Sequence, residues 1–377
     1  MKTLNFDFSE EQKELRAHAR RFLEDNSSRE VVRAVLNGGE GYHDALWRAV
    51  LDIGFVGTAI PEEYGGLGLG YLELCVIAEE LGRSLAPVPF SSSVYLAAEF
   101  LLAAGSEEQK QAILPRIVSG EAIGTCALVE GVGALSPDRI GALVVGGRLT
   151  GVKLPVTDGT IATFAIVAAR SGEGSASPVL LYIVDLSQSG VAREPVSTID
   201  LTRGHARLRF SAVPVEALGD HTDAWPIVER VFDRAAVLFA FEQIGGADRA
   251  LEMARDYALE RRAFGRQIGS FQALKHMLTD MYVSTALARA NAYYAAWALS
   301  TDAVDLPQAA AAARVSATQA YQHCAKNNIQ VHGGMGFTWE FDCHLFYRRS
   351  NLLALNLGGL AHWEDRLIAQ LRTEIAA

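Results

Sequence analysis

Two segments in the last third of the chain carry residue types suited to charged ligands. The first is Arg261-Arg262-Ala263-Phe264-Gly265-Arg266-Gln267-Ile268-Gly269-Ser270-Phe271-Gln272. An arginine pair at a helix end either completes the helix dipole or grips phosphate oxygens. A plain surface pair is the simpler alternative. The second segment is Gln330-Val331-His332-Gly333-Gly334-Met335-Gly336-Phe337. Its glycines let a backbone turn sharply or approach a ligand closely, although most such glycines only make turns. His332 has acid–base chemistry available, but an imidazole beside such a loop more often packs or hydrogen-bonds. Glu242, flanked by Phe239, Phe241 and Ile244, is a carboxyl whose pKa burial in apolar surroundings would raise.

These residues need a scaffold, and the 377-residue chain is long enough for one large domain or two to three smaller ones. Half of it is hydrophobic and 21% charged, the balance of an ordinary globular protein. The net charge of −10 argues against nucleic acid as the main partner. No apolar run approaches the ~20 residues of a membrane span. The acidic start, through Glu10-Glu11-Gln12, has no apolar signal core. Cys75, Cys126, Cys324 and Cys343 form no C-x-x-C pair and no metal-ligand spacing. Dispersed cysteines in a chain this large indicate reduced thiols in a cytoplasmic protein.

The pattern along the chain is helical, then β, then helical, an α+β fold. Residues 1–120 read as a helical domain. Ser9-Glu10-Glu11 opens a helix carrying Leu15, His18, Ala19, Phe22 and Leu23 at helical spacing. A breaker-rich loop at Pro61–Gly70 precedes a second helix over Leu72–Leu81. Gly105-Ser106-Glu107 reads as helix end, cap and new start. Residues 121–222 form a β domain: Ala142–Val145, Phe164–Ala168 and Val179–Val184 are short apolar runs between turn-forming clusters. Arg207-Leu208-Arg209-Phe210 alternates like a half-buried strand. Residues 223–377 return to helix, with an alanine-rich stretch over Ala309–Val331 and a closing helix over Leu360–Ile375.

The two opening segments, in this order of elements, resemble the acyl-CoA dehydrogenase family. The Pro61–Gly70 loop, Glu79-Glu80-Leu81-Gly82-Arg83, Gly105–Lys110 and Gly151-Val152-Lys153 are similar too, so the likeness covers essentially the whole chain. It implies a barrel-like middle domain and a four-helix-bundle-like C-terminal domain. It also implies bound FAD, with Arg261 on the pyrophosphate of a neighbouring subunit's cofactor and Phe264, Gln272, Gln330 and Gly334 touching it. Thr157, in Val156-Thr157-Asp158-Gly159, matches the hydroxyl that bonds the flavin near N5, with Pro155 where an aromatic residue is frequent. Cys126–Ala134 departs from the family: Val129 lacks a hydroxyl and Gly131 replaces a proline. The Leu128 backbone can still meet the flavin, or Leu128 is simply core.

The family's reaction removes an α-proton from an acyl thioester while hydride leaves the β-carbon, which requires a carboxylate base. Its usual position is 23 residues after Gly334, which here is Leu357. Leucine accepts no proton, although its backbone N–H is suited to polarising a carbonyl. Some relatives place the base directly before an arginine at the start of the C-terminal domain. Phe232-Asp233-Arg234 offers Asp233 there, with a solvated or capping role as the alternative, and Arg234 for the CoA phosphates.

Three readings follow from the resemblance. In the first, the chain converts an acyl-CoA to the 2,3-enoyl product and passes electrons to an electron-transfer flavoprotein. It does so in fatty acid or steroid side-chain degradation, as a homotetramer or a heterotetramer with a related subunit. In the second it is a non-catalytic, FAD-supporting partner subunit. In the third it has altered flavin chemistry, as an oxidase or a lyase.

Overall fold

The computed structural model describes residues 9–39, 41–174 and 177–376. The first eight residues of the acidic start lie outside the described part. Helices α1 (Glu10–Asn26), α2 (Arg29–Gly38), α3 (Asp44–Asp52), α4 (Tyr71–Ser84), α5 (Glu99–Ala104) and α6 (Glu107–Ser119) come first. A π-helical stretch over Ser91–Ala98, which the sequence reading did not anticipate, runs into α5. Strands β1 (Gly124–Ala127), β2 (Leu143–Val145), β3 (Arg148–Thr157), β4 (Phe164–Ser171), β5 (Val179–Asp185), β6 (Val191–Pro195), β7 (His205–Pro214) and β8 (Glu216–Ala217) follow. Helices α7 (Trp225–Glu260), α8 (Gln272–Ser300), α9 (Leu306–His332), α10 (Cys343–Leu353) and α11 (Leu360–Ala376) complete the chain. The α+β reading holds. No helix among the described residues is long and apolar enough to cross a membrane.

Local chemistry sets the helix starts. The Ser9 hydroxyl accepts from the Gln12 N–H at 3.2 Å, and the Gln12 amide oxygen accepts from the Ser9 N–H at 2.9 Å. Ser106 and Gln109 form the same reciprocal cap before α6. Each cap satisfies donors that the first helical turn leaves without intrahelical partners.

The eight strands share one sheet, ordered β6-β7-β3-β2-β4-β5-β8, with β1 paired to β4. Strand β4 is buried along all but its last residue, which explains its unbroken apolar run. Leu149, Val156, Leu208 and Phe210 belong to the core between these strands. Thr157 of β3 lies opposite His205 of β7 in the antiparallel register.

By packing, the chain forms two compact units. One comprises the described residues through Val32, residues 71–86 and the described residues from 236 onward. The other comprises described residues 33–70 and 87–235. In the first unit, α7 has no side chain at Gly245 and Gly246. A Cβ on Gly245 would lie 1.8 Å from the Glu79 carbonyl oxygen of α4, and one on Gly246 would lie 2.3 Å from the Tyr321 ring of α9. Gly82 of α4 meets the Glu242 carbonyl oxygen in the same way, at 1.9 Å. Backbone thus packs on backbone, and three arginines serve the two acids that this buries on α4. Glu79 pairs with Arg16 at 3.1 Å and Arg289 at 2.5 Å, and Glu80 with Arg20 at 2.7 Å.

Alanine at 245 gains about 1 kcal/mol of helix propensity but collides with a carbonyl that cannot move alone. We expect Gly245→Ala to lower stability by a net of about 2 to 3 kcal/mol, in the range for overpacking. Urea unfolding checks this, and an unchanged midpoint would refute the close approach.

Candidate functional site

The first unit gathers the two opening segments. The Tyr257 ring near the end of α7 stacks on His332 at the end of α9, with centroids 4.1 Å apart, and Phe341 packs edge-on to both. His332 is buried, and its Nδ1 lies 2.8 Å from the Asn328 carbonyl oxygen. Burial lowers its pKa, with the Asn328 contact opposing. It therefore packs as a neutral ring between two aromatic neighbours.

This stack brings the start of one segment to the core of the other. The Arg261 N–H donates to the Tyr257 carbonyl at 2.8 Å, and its side chain is exposed. Next comes a small hairpin in which Arg262-Ala263 pairs with Arg266-Gln267. Phe264 and Gly265 make its turn at φ +52° and +77°. Two left-handed residues are what a tight hairpin turn requires. For phenylalanine that conformation is an outlier, and Phe264 is also 95% exposed. A strained turn with an exposed ring makes Phe264 a candidate contact position. Gln272 opens α8, exposed. After His332, Gly333 turns at φ +61°, and no atom lies within 4 Å of a Cβ built on Gly333 or Gly334. Gln330 and Gly334 are exposed beside it, as is Phe337.

The other unit holds Thr157 and Leu128. Thr157 is half-buried, and its hydroxyl lies 3.3 Å from His205 Nε2. Its carbonyl accepts from the Thr125 hydroxyl at 2.6 Å. Leu128 is buried, and its carbonyl accepts from the Lys153 ammonium at 3.2 Å. That ammonium also meets Glu130 at 2.6 Å, and Glu130 accepts from the Gly141 and Ala142 N–H groups. The Leu128–Glu130 stretch is therefore fixed by one buried cation. Neither Lys153 nor His205 was singled out as a site residue from the sequence. Only the β3–β7 register could have found His205.

The candidate bases occupy distinct surroundings. Asp233 in the early part of α7 is 4% exposed. Arg234 beside it donates to the Glu99 carboxylate at 2.8 Å. Glu242 is buried, but not among apolar groups alone. Arg349 lies 3.6 Å away. Arg314 is also near, its pKa pushed down to about 9 by burial while the Glu242 charge opposes the shift.

Leu357 takes φ +61°, followed by Gly358 at +100°. A left-handed bulky residue costs about 1 to 2 kcal/mol. The turn is held from beneath: Arg314 donates to the Leu353 and Asn356 carbonyls, the latter at 2.8 Å, and to the Gln243 amide oxygen at 2.6 Å.

In donor chemistry, the exposed guanidinium, two side-chain amides and open glycine backbone of the first unit fit a dinucleotide, and in the other unit, taken by itself, the half-buried Thr157 hydroxyl fits a hydrogen-bonding ring. Among the described residues no group of three or more His, Cys, Asp or Glu side chains could hold a metal ion.

Comparisons with known proteins agree. The family "Acyl-CoA dehydrogenase, N-terminal domain" matches residues 9–121, and "Acyl-CoA dehydrogenase, C-terminal domain" matches residues 223–359. The chain is 34% identical to acyl-CoA dehydrogenase IpdE2 of Mycobacterium tuberculosis, over 91% of each chain. The structure of a variant of the Tcur3481-Tcur3483 steroid ACAD aligns with TM-score 0.86 and 31% identity, covering 98% of this chain and 99% of that one. The ChsE4-ChsE5 complex of Mycobacterium tuberculosis aligns with TM-score 0.87 and 27% identity, at the same coverage.

Burial lowers the Lys153 pKa to about 8, with Glu130 opposing. Between pH 8 and its ordinary value near 10.5 the unfolded chain then binds the extra proton, so the Lys153 contribution to stability rises with pH there. Urea unfolding across that range should favour the native protein increasingly over Lys153→Met. A flat difference would contradict the buried ammonium.

Proposed function

Because the chain belongs to the acyl-CoA dehydrogenases, flavoprotein oxidoreductases that use FAD, we propose that it serves α,β-dehydrogenation as one subunit of a mixed oligomer. The carrying observation is Leu357: the family's base position holds an apolar side chain, while its left-handed backbone is kept at a cost in strain. A related subunit supplies the carboxylate. This chain supplies Arg261, Phe264, Gln272, Gln330 and Gly334 to the FAD across the subunit boundary, and Thr157 and the Leu128 backbone to the flavin ring.

FAD, when bound, would supply the acceptor for hydride from the β-carbon. The chain's own residues do the positioning. The Arg261 fork suits diphosphate oxygens, and Gly333-Gly334 leave room for the cofactor's approach. The Leu357 N–H, in its held turn, is suited to the thioester carbonyl. Similarity to a steroid ACAD supports a bulky ring or steroid side-chain thioester as substrate. An electron-transfer flavoprotein is the acceptor, and the cytoplasm, with all four cysteines free, is the setting.

A second reading gives this chain its own base, Asp233. It is favoured by that carboxylate's burial immediately before the Arg234–Glu99 ion pair. Arg234 would then meet CoA phosphates in exchange for Glu99.

The test is anaerobic titration of the FAD-loaded protein with steroid-ring, side-chain and straight-chain acyl-CoAs, following loss of the flavin's visible absorbance. The mixed-oligomer reading expects reduction only with the related subunit present. Reduction by the homogeneous protein, abolished by Asp233→Asn, would establish the second reading instead. Arg261→Gln should weaken FAD retention about tenfold or more, the loss of one charge-assisted contact. Equilibrium dialysis measures it, and unchanged retention would remove Arg261 from the cofactor site.

A further inference from the structure

We propose that His205 is a positioning residue that commits the Thr157 hydroxyl proton inward, so that the Thr157 oxygen faces the cofactor as a hydrogen-bond acceptor. The proposal rests on the reading that places Thr157 at the flavin ring.

The geometry fixes the roles one after another. His205 is 5% exposed on β7, directly opposite Thr157 on β3. Its Nδ1 lies 3.1 Å from the Arg203 carbonyl oxygen. A carbonyl only accepts, so Nδ1 carries the hydrogen. Burial disfavours the doubly protonated ring, with Asp158 opposing, which leaves Nε2 with a lone pair. Nε2 is 3.3 Å from the Thr157 hydroxyl oxygen. The hydroxyl therefore donates to Nε2, and its oxygen keeps lone pairs for a partner that donates.

The anchor of this chain is itself held. Arg203 is buried, and its guanidinium donates to the Ser91 hydroxyl at 2.6 Å and to Asp158 at 3.3 Å. Asp158 also accepts from the Ser92 hydroxyl at 2.6 Å. The Arg203 carbonyl and the backbone after Thr157 are thus tied to one buried cluster.

A flavin ring nitrogen carries a hydrogen at this edge only when the ring is reduced. An acceptor oxygen at Thr157 matches that state. The oxidised ring instead requires Thr157 to turn its proton outward, leaving Nε2 buried without a donor, which is costly. His205 thereby favours reduced cofactor and raises its potential.

The experiment is a spectroelectrochemical titration of the FAD-loaded protein, purified with its partner subunit where one co-purifies. His205→Leu should shift the equilibrium three- to tenfold toward oxidised flavin, about 15 to 30 mV more negative for two electrons. His205→Gln, which keeps an acceptor for the hydroxyl, should restore the native potential. In a Thr157→Val background, His205→Leu should add nothing. An unchanged potential in His205→Leu, or an equal shift in both backgrounds, overturns the proposal. A Thr157→Val variant that binds FAD with native potential overturns the placement of Thr157 itself, and failure of the unsubstituted protein to bind FAD overturns the cofactor reading. Independently of any variant, nitrogen-15 NMR of the cofactor-free protein should find His205 protonated on Nδ1 and bare on Nε2. The opposite tautomer contradicts the chain of roles.

Discussion

Two positions on α7 carry no side chain, and two neighbouring helices occupy the space. Gly245 admits the backbone of α4 and Gly246 admits the ring of Tyr321 on α9. That contact fixes α7 against α9, and the candidate cofactor face depends on it. About three turns further along α7, Tyr257 stacks on His332, which sets the end of α7, just before Arg261, against the residue that precedes Gly333-Gly334. Three residues before Gly246, Gln243 accepts from Arg314, which holds the turn at Leu357. One tight helix crossing thus serves both the glycine-rich segment and the turn at Leu357.

In each unit, buried charges hold backbone in place. Arg314 is 1% exposed and spends its donors on the Gln243 amide and two backbone carbonyls. Lys153, fully buried, joins Leu128 and Glu130 in the other unit. Desolvating such groups costs several kcal/mol each. Hydrophobic side chains of similar volume would pack the same space at lower cost but would leave these carbonyls unsatisfied. The charges therefore fix irregular loops, and those loops carry the candidate contacts.

Much of this was legible in the sequence. Ser9 and Ser106 announced their helices through the cap chemistry that the structure shows, and the apolar runs at Phe164 and Val179 became buried strands. The order of helical and β segments sufficed for the fold class. The conformations at Phe264 and Leu357 were not legible, because a left-handed bulky residue is imposed by the surrounding turn and has no signature in its own side chain. Glu242 looked apolar from its sequence neighbours, but its partner Arg349 comes from a distant helix. His205 had no local signal, since its meaning arises from strand register across more than forty residues. Sequence reading failed where long-range packing assigns a residue's partners.

In the proposed reading, position 357 of this acyl-CoA dehydrogenase chain holds a leucine where relatives carry the proton-accepting carboxylate. If the turn at position 357 is otherwise intact, restoring the carboxylate should restore proton abstraction there. The most direct measurement is anaerobic flavin reduction by acyl-CoA in the homogeneous, FAD-loaded Leu357→Glu protein, beside the native chain under the same conditions. We expect the variant to be reduced and the native protein to remain oxidised without its partner subunit. Equal reduction of the two would contradict the account and show that this chain already holds its base elsewhere.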